Sequence, residues 1–305
     1  MNDTPADKPK WAVLKRLEYI DFRLFWDRVL NRADMAEAFG MSAQQASADL
    51  ATYSDAAPGN LIYDGSAKTY RRAGAYQAQW AAKGVDRYLL QLVGLKSGWL
   101  DPEATWFQAP LPPVEVVSVG RRATNPEHLM AVLDAIKDQQ RLRIDYRSLT
   151  GSPPSWRTIA PHSIAHAFGR WYVRAWSAEH NDFRDYLLNR MRDVAGDGPA
   201  GIDNSLDYEW SHFIDLSLVP NPRLKPEQQE ALIEEFEMVG GALTMPVRLS
   251  MSFYLIAHLN LDLDPETNKP EKTQLVLTNG PEIEAQRGVA RKMSVRALAA
   301  RGAET

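Results

Sequence analysis

Residues 31–50 read NRADMAEAFGMSAQQASADL, and this stretch decides the first part of the fold. Asn31 is a good helix N-cap, and Asp34 stands at the third helical position, where its carboxylate satisfies a free backbone amide. Met35, Ala36 and Phe39 then give one apolar face, and Gly40 supplies a left-handed stop. Ser42 starts a second helix, with Gln45 in the matching capping-box position. Ala46, Leu50 and Tyr53 form its buried side. A helix, a glycine turn and a capped second helix are the outline of a helix-turn-helix.

Upstream, Phe22, Phe25, Trp26, Val29 and Leu30 recur at helical spacing, which predicts a preceding amphipathic helix. Downstream, Leu61-Ile62-Tyr63 and Lys68-Thr69-Tyr70 flank an Asp64-Gly65-Ser66 turn and read as a hairpin, the wing of a winged helix. At 100° per residue, Gln44 and Ala48 point away from the apolar face of the second capped helix, with Gln45 and Ser47 beside them. Glutamine pairs bidentately with adenine, serine bonds many bases, and an alanine methyl packs on thymine. Ser42, Gln44, Gln45 and Ser47 are therefore candidate DNA contacts, and Lys68, Arg71 and Arg72 candidate phosphate contacts. The alternative is a solvated helix face filled with good helix formers.

The chain has 305 residues, enough for two or three domains, and 45% are hydrophobic. It contains no cysteine, which excludes disulfides and thiolate metal sites and fits a reducing cytoplasm. Residues 1–10 are polar and read as a disordered tail, and no apolar run reaches the ~18 residues of a membrane span. A net charge of −4 does not suit a DNA binder until it is divided along the chain. Residues 1–73 carry ten basic and ten acidic side chains, residues 121–194 twelve and eight, and residues 195–305 ten and seventeen. Local distribution sets a phosphate-binding field, so the middle of the chain is its basic part.

Val85, Tyr88, Leu89, Leu92 and Val93 predict a helix, and prolines 110, 112 and 113 interrupt the chain before a β-rich run at 114–119. Asn125-Pro126 opens a further helix with Leu129, Val132, Leu133 and Ile136 on its face. Short strands follow: Leu142 to Tyr146, Trp156 to Ile159 ended by Pro161, Arg170 to Trp176, and Arg184 to Leu188, with a turn at 150–155. Their spacing predicts a small antiparallel barrel. Further on, Pro226 opens a helix, Leu243 to Met251 alternate as one strand, and Asn279-Gly280 marks a turn.

Within this region the strings Tyr146-Arg147-Ser148, Arg157-Thr158-Ile159-Ala160-Pro161-His162, Gly169-Arg170-Trp171-Tyr172-Val173 and Asn189-Arg190-Met191 resemble the WYL-domain family. Val173 stands where the family has leucine, and Tyr186-Leu187 where a Phe-Arg-Leu string is common. With the strings at 31–42 and 63–70, the chain resembles the BrxR/CapW-type repressors of phage-defence loci. The resemblance implies an SH3/Sm-like β-barrel with a basic ligand pocket formed by Tyr146, Ser148, Arg157, His162, Tyr172, Arg174, Arg184 and Arg190. Arginines fork onto phosphates or carboxylates and aromatic rings stack on bases, so the implied ligand is anionic, a nucleotide or a short nucleic acid. The residues leave alternatives open. Arg157 and Arg190 can pair with Asp145, Asp185 or Asp193 as structural salt bridges, Tyr146 can be a plain barrel residue, and Trp171 and Val173 share a strand face and read as core.

The expected fold class is α+β. It comprises a winged helix-turn-helix over 11–75, a helical linker over 76–125, a WYL barrel over 126–195, and an αβ dimerisation extension over 196–305. No phosphate loop, dinucleotide fingerprint, nucleophile elbow or zinc-protease motif occurs, so no catalytic residue and no cofactor are expected. His162 and His166 lack a third ligand, and no metal is expected there. The reading is a cytoplasmic, homodimeric repressor that binds an operator duplex as an inverted repeat and responds to an anionic effector, with an activator or an accessory subunit as alternatives.

Overall fold

The computed structural model describes residues 11–80, 84–107, 111–117, 123–149 and 155–302. The chain forms two compact units, residues 1–120 and 121–305. The polar stretch 1–10 and most of the turn expected at 150–155 lie outside the described residues.

In the first unit α1 (Trp11–Trp26) ends where Arg28 takes a φ of 64°, a conformation that no right-handed helix continues. Val29 and Leu30, expected on the helical stripe, instead form the short strand β1 (Val29–Leu30). Helix α2 (Arg32–Phe39) carries the full capping box. Asp34 N donates to Asn31 Oδ1, and Asn31 N donates to Asp34 Oδ2, both at 2.9 Å. Gly40 ends α2 at a φ of 63°. Helix α3 (Ala43–Ala56) receives only half of its expected box. Gln45 N donates to Ser42 Oγ at 3.2 Å, but the Gln45 side chain donates to Asp49 instead of turning back. Strands β2 (Leu61–Asp64) and β3 (Thr69–Arg72) make the wing, and β1 pairs with β3 through Val29 opposite Arg71. Ile20, Leu24, Leu30, Met35, Leu50 and Tyr53 fill the core, each 2% exposed or less. Trp80 and Trp106, from the stretch read as linker, pack on this same core. Helix α4 (Val85–Lys96) follows, and residues 111–117 form no strand.

The second unit opens with α5 (Pro126–Lys137), capped by Asn125 with Pro126 at its first position. Five strands follow: β4 (Gln140–Tyr146), β5 (Ser155–Ala167), β6 (Arg170–Ser177), β7 (Asp182–Leu187) and β8 (Met191–Pro199). They pair antiparallel in the order β7-β6-β5-β4-β8. Val132 and Ala135 of α5 bury against Leu142, Ile144, Ile159 and Val173, whereas Leu133, expected on that face, is 48% exposed.

Among the described residues the ladder does not close into the expected barrel, because β7 and β8 do not pair. These edge strands are nevertheless joined directly by the 3-10 turn Leu188–Arg190. Three residues span only about 10 Å, so the sheet curls its two edges toward one another. Pro161 does not end its strand. β5 continues to Ala167, with a register shift between Pro161 and Ser163, a place where a proline without an N–H is tolerated. Trp171 is not core: it is 54% exposed beside the Phe168–Gly169 turn, while Val173 is fully buried. Trp171 lies at the tip of the β5–β6 hairpin, two residues beyond the position that contributes to the α5-covered core.

The remainder of this unit contains α6 (Tyr208–Ser211), β9 (Phe213–Pro220), α7 (Pro226–Glu235), β10 (Leu243–Arg248), α8 (Leu249–His258), β11 (Leu275–Leu277) and α9 (Gly280–Gly302). Its sheet runs β10-β9-β11. The strand expected through Met251 stops at Arg248, which pairs with Phe213, the first residue of β9. No strand partner remains beyond that point, and the chain turns into α8. Among the described residues no helix is long and apolar enough to cross a membrane.

Candidate functional site

Helix α3 turns Ala46, Leu50 and Tyr53 into the core and leaves Ser42, Gln44, Gln45 and Ala48 exposed, as its periodicity requires. Gln44 is the long polar side chain opposite the buried face. Gln45 is tied to Asp49 at 3.1 Å. Ser47 donates to Ala43 O and accepts from Arg32 at 3.3 Å, which brings a basic side chain beside α3.

On the wing Lys68 is exposed, at a φ of 52°. Arg71 is 58% exposed at its side chain and pairs with Asp64 at 2.9 Å. Asp64 also accepts from Ser66 and Ala67, and these contacts, with Arg71, hold its carboxyl low, at about 2. The guanidinium of Arg72 is committed elsewhere. It donates to Phe25 O at 2.8 Å and lies over the Tyr76 ring, which makes Arg72 a brace between wing and α1. The exposed Arg28 and Arg32 join Lys68 and Arg71 as basic groups of this unit. Sequence patterning missed them because neither lies on the recognition helix or the hairpin.

Of the eight side chains expected in one basic pocket, six divide between the two faces of the five-stranded sheet, and Ser148 and Arg190 lie beyond the strand ends. On the front, the α5 side, are Tyr146, Arg157 and Arg184, by the register Ile144 to Arg157 and Ala175 to Arg184. Arg157 lies over the Tyr146 ring at 5.5 Å, and the Tyr146 hydroxyl accepts from Leu187 N at 3.1 Å. Tyr146 is 7% exposed and part of the core, so it is a wall residue as well as a candidate contact. The partner of Arg157 is Glu179 at 3.7 Å, not one of the expected aspartates. Ser148 and Arg190 are half-buried, and Arg190 O accepts from Arg147 N in the turn that joins the sheet edges.

On the back, Tyr172 packs against Tyr254 of α8 with rings 4.6 Å apart. Arg174 is 4% exposed and forks onto Asp207, with Nε to Oδ2 at 2.7 Å and Nη2 to Oδ1 at 2.9 Å. Asp185 and Glu209 each approach the same guanidinium at 3.3 Å. His162 Nε2 lies 3.0 Å from Asp207 Oδ2. Burial works to raise the Asp207 carboxyl, but hydrogen bonds from Arg174 and His162 outweigh it and hold the carboxyl below its usual range. His162, Tyr172 and Arg174 are thus structural partners of the C-terminal elements. His166 lies against Trp171 with the rings 4.7 Å apart and tilted by 42°, and it takes no part in a ligand set with His162. Among the described residues no His/Asp/Glu group is arranged to hold a metal.

A winged helix with an exposed polar recognition face, followed in the chain by a curled basic sheet and a second small αβ sheet, defines a WYL-type transcriptional regulator. Family comparisons agree segment by segment. The BrxR transcriptional regulator winged helix-turn-helix domain matches residues 12–94, the WYL domain residues 127–195, and the BrxR C-terminal dimerization domain residues 213–283. The DNA-binding transcriptional repressor CapW of Pseudomonas aeruginosa is 33% identical over 286 residues, covering 92% of this chain and 95% of that protein. The CapW repressors of Escherichia coli strain KTE188 and Stenotrophomonas maltophilia are each 32% identical, covering 90% and 93% of this chain. The chain belongs to the CapW/BrxR family of transcriptional regulators.

Proposed function

We propose that this chain is a homodimeric, sequence-specific transcriptional repressor, not an enzyme, acting in the cytoplasm on an inverted-repeat operator of phage-defence genes. The observation that carries the DNA-reading part is α3, a buried-face helix with Gln44 and Ala48 outermost and basic groups nearby. The CapW relatives are themselves DNA-binding repressors, and the dimerization domain supplies the two-fold symmetry that an inverted repeat mirrors. In this reading Gln44, with Ser42, Gln45 and Ser47 at the same helix end, reads bases. Lys68 and Arg71, with Arg28 and Arg32, hold phosphates, and Arg72 braces the wing.

Fluorescence anisotropy with a duplex from upstream of the gene and a scrambled duplex tests this reading. Gln44→Ala is expected to shrink the preference for the native duplex by about 1–3 kcal/mol. Arg71→Ala is expected to weaken both duplexes alike and to reduce the salt slope by about one. Unchanged affinity in both variants defeats the assignment of this face.

Relief of repression is assigned to an anionic ligand, a nucleotide or short nucleic acid, on the front of the five-stranded sheet at Arg157 and Arg184. The ligand acts by binding one arrangement of the dimer better than the other. Arg157→Glu is expected to abolish the effector response in a reporter strain while operator binding in vitro is kept. Loss of both would mark Arg157 as structural.

A further inference from the structure

The front of the five-stranded sheet carries four buried polar atoms short of partners: Arg157 Nε and Arg184 Nε meet no hydrogen-bond partner, and the hydroxyls of Ser177 and Tyr186 have only each other. Ser177 is fully buried and Tyr186 is 2% exposed. Register puts all four side chains on one face, with Ser177 opposite Ile159, Arg184 opposite Ala175, Tyr186 opposite Val173 and Arg157 opposite Ile144. Tyr186 lies among the others. Burial pushes its phenol up, Ser177, Arg157 and Arg184 oppose that rise, and Glu179 reinforces it. Native proteins pair nearly all buried polar groups, so two unpaired guanidinium N–H groups beside a pair of hydroxyls point to a further partner.

Toward a guest the cluster can donate two guanidinium N–H groups and one hydroxyl, the other hydroxyl proton serving the Ser177–Tyr186 contact. The guest they select is an acceptor, and the arginines make it an anion. A nearby acidic group is Glu179, in the turn after β6. Its Oε2 stands 3.7 Å from Arg157 Nε, close enough to neutralise charge and too long for a hydrogen bond. Its side chain is 39% exposed, free to swing toward solvent without breaking a strand pair. With Glu179 in place the two arginines retain one net positive charge; with it displaced they present two. A carboxylate guest brings one charge and two oxygens in a plane. A terminal phosphate brings up to two charges and three oxygens arranged tetrahedrally, which suits donors rising from the sheet and from two side arms.

We propose that Ser177 and Tyr186 complete an anion seat between Arg157 and Arg184, that Glu179 is its resident competitor, and that the seat takes a doubly charged terminal phosphate in preference to a monoanion. This rests on the reading of the front face as the ligand site, and adds a hydroxyl pair, a competitor and a charge rule to it.

Isothermal titration of the full-length protein at constant ionic strength tests the proposal, with inorganic phosphate, thymidine 5′-monophosphate, thymidine and acetate as probes. Phosphate and the monophosphate are expected to bind, with thymidine and acetate at least tenfold weaker. Glu179→Gln removes a like charge beside the guest and should tighten phosphate about tenfold. Tyr186→Phe keeps the packed ring, deletes one donor and should weaken phosphate about tenfold. Arg157→Gln should abolish binding. If Arg157→Gln weakens phosphate but Glu179→Gln and Tyr186→Phe leave it unchanged, the seat is overturned and the front-face site stands. If phosphate fails to bind the wild-type protein, or binds all three variants equally, both readings fall. Acetate tightening as much as phosphate in Glu179→Gln overturns the charge rule.

Discussion

Asp207→Ala is expected to destabilise the second unit by about 3 kcal/mol or more, a large share of a typical domain's stability. The carboxylate is 1% exposed and receives Arg174 in a two-point fork, the His162 ring and the Trp210 backbone amide. Without it the Arg174 guanidinium, 5% exposed, keeps only the longer contacts to Asp185 and Glu209 at 3.3 Å. A buried charge that loses its main partner is more costly than the intact pair is favourable, because desolvation is no longer offset. Helix α6 loses its N-cap as well, which costs about 1 kcal/mol. Asp207→Asn retains one acceptor and should fall between wild type and Ala. Segment-resolved hydrogen exchange of the full chain is the measurement: β6, β7 and α6 should exchange faster while α2 and α3 are unchanged. Wild-type protection in β6 and α6 would show that Asp185 and Glu209 suffice.

The same network predicts an acid response. A carboxyl held low, as Asp207 is, contributes stability above the ordinary carboxylate range, and that stability fades as pH falls through and below it. Glu209 acts in the opposite direction. Burial raises its carboxyl, so at neutral pH it carries an unfavourable charge that protonation relieves. Acid unfolding should therefore begin gently and steepen at lower pH in the wild type. Asp207→Asn should lose the steep limb, as read by circular dichroism across a pH series.

Local signals were the legible ones. The capping box at Asn31 and Asp34, Gly40, and the Asp64 turn each work through residues within four of one another, so sequence spacing predicts them directly. Strand alternation was legible too, and it already sets Tyr172 and Arg174 on the face opposite Val173. That parity was the available sign that one pocket cannot hold Arg174 and Arg184 together. What hid the division was distance and irregularity. Asp207 lies 33 residues beyond Arg174, and the register shift at Pro161 to Ser163 resets which β5 side chains face which side. Ser177, Glu179 and Tyr186 carry no sequence signal as ligand contacts, for a related reason. A serine, a turn glutamate and a strand tyrosine are unremarkable in sequence, and only the curled sheet sets them beside two arginines. The short strand β1 keeps the helical spacing at Val29 and Leu30, and the left-handed Arg28 that stops the helix is not a glycine, so spacing alone extends the helix through it.

Asp21→Ala is expected to do to the first unit what Asp207→Ala does to the second. Asp21 is fully buried on α1, and its side chain gathers groups from two later segments, α3 and residues 76–80. Oδ1 accepts from Tyr53 of α3 at 2.6 Å and from Tyr76 at 2.7 Å, while Oδ2 accepts from the Gln79 and Trp80 backbone amides at 3.0 and 2.7 Å. Burial and the hydrogen bond to Asp21 push the Tyr53 and Tyr76 phenols well above their ordinary range, so both stay protonated as donors. Alanine leaves the Tyr53 hydroxyl and two amides without their acceptor, each at about 1–3 kcal/mol, and leaves Tyr76 only its longer bond to Asp21 O at 3.2 Å, so a loss near 3 kcal/mol remains after relaxation. Asparagine separates the contributions. Its carbonyl can serve the two amides, while its NH2 faces hydroxyls that can turn to accept, so Asp21→Asn should cost about 1–2 kcal/mol. Because Tyr53 belongs to the buried face of α3, loosening it also loosens the orientation of Gln44. Operator affinity should therefore fall with stability in Asp21→Ala and recover in part in Asp21→Asn. Protection in α3 by hydrogen exchange and operator anisotropy measure the two effects together. Full operator affinity in an Asp21→Ala protein with unprotected α3 would show that DNA itself can order the recognition helix.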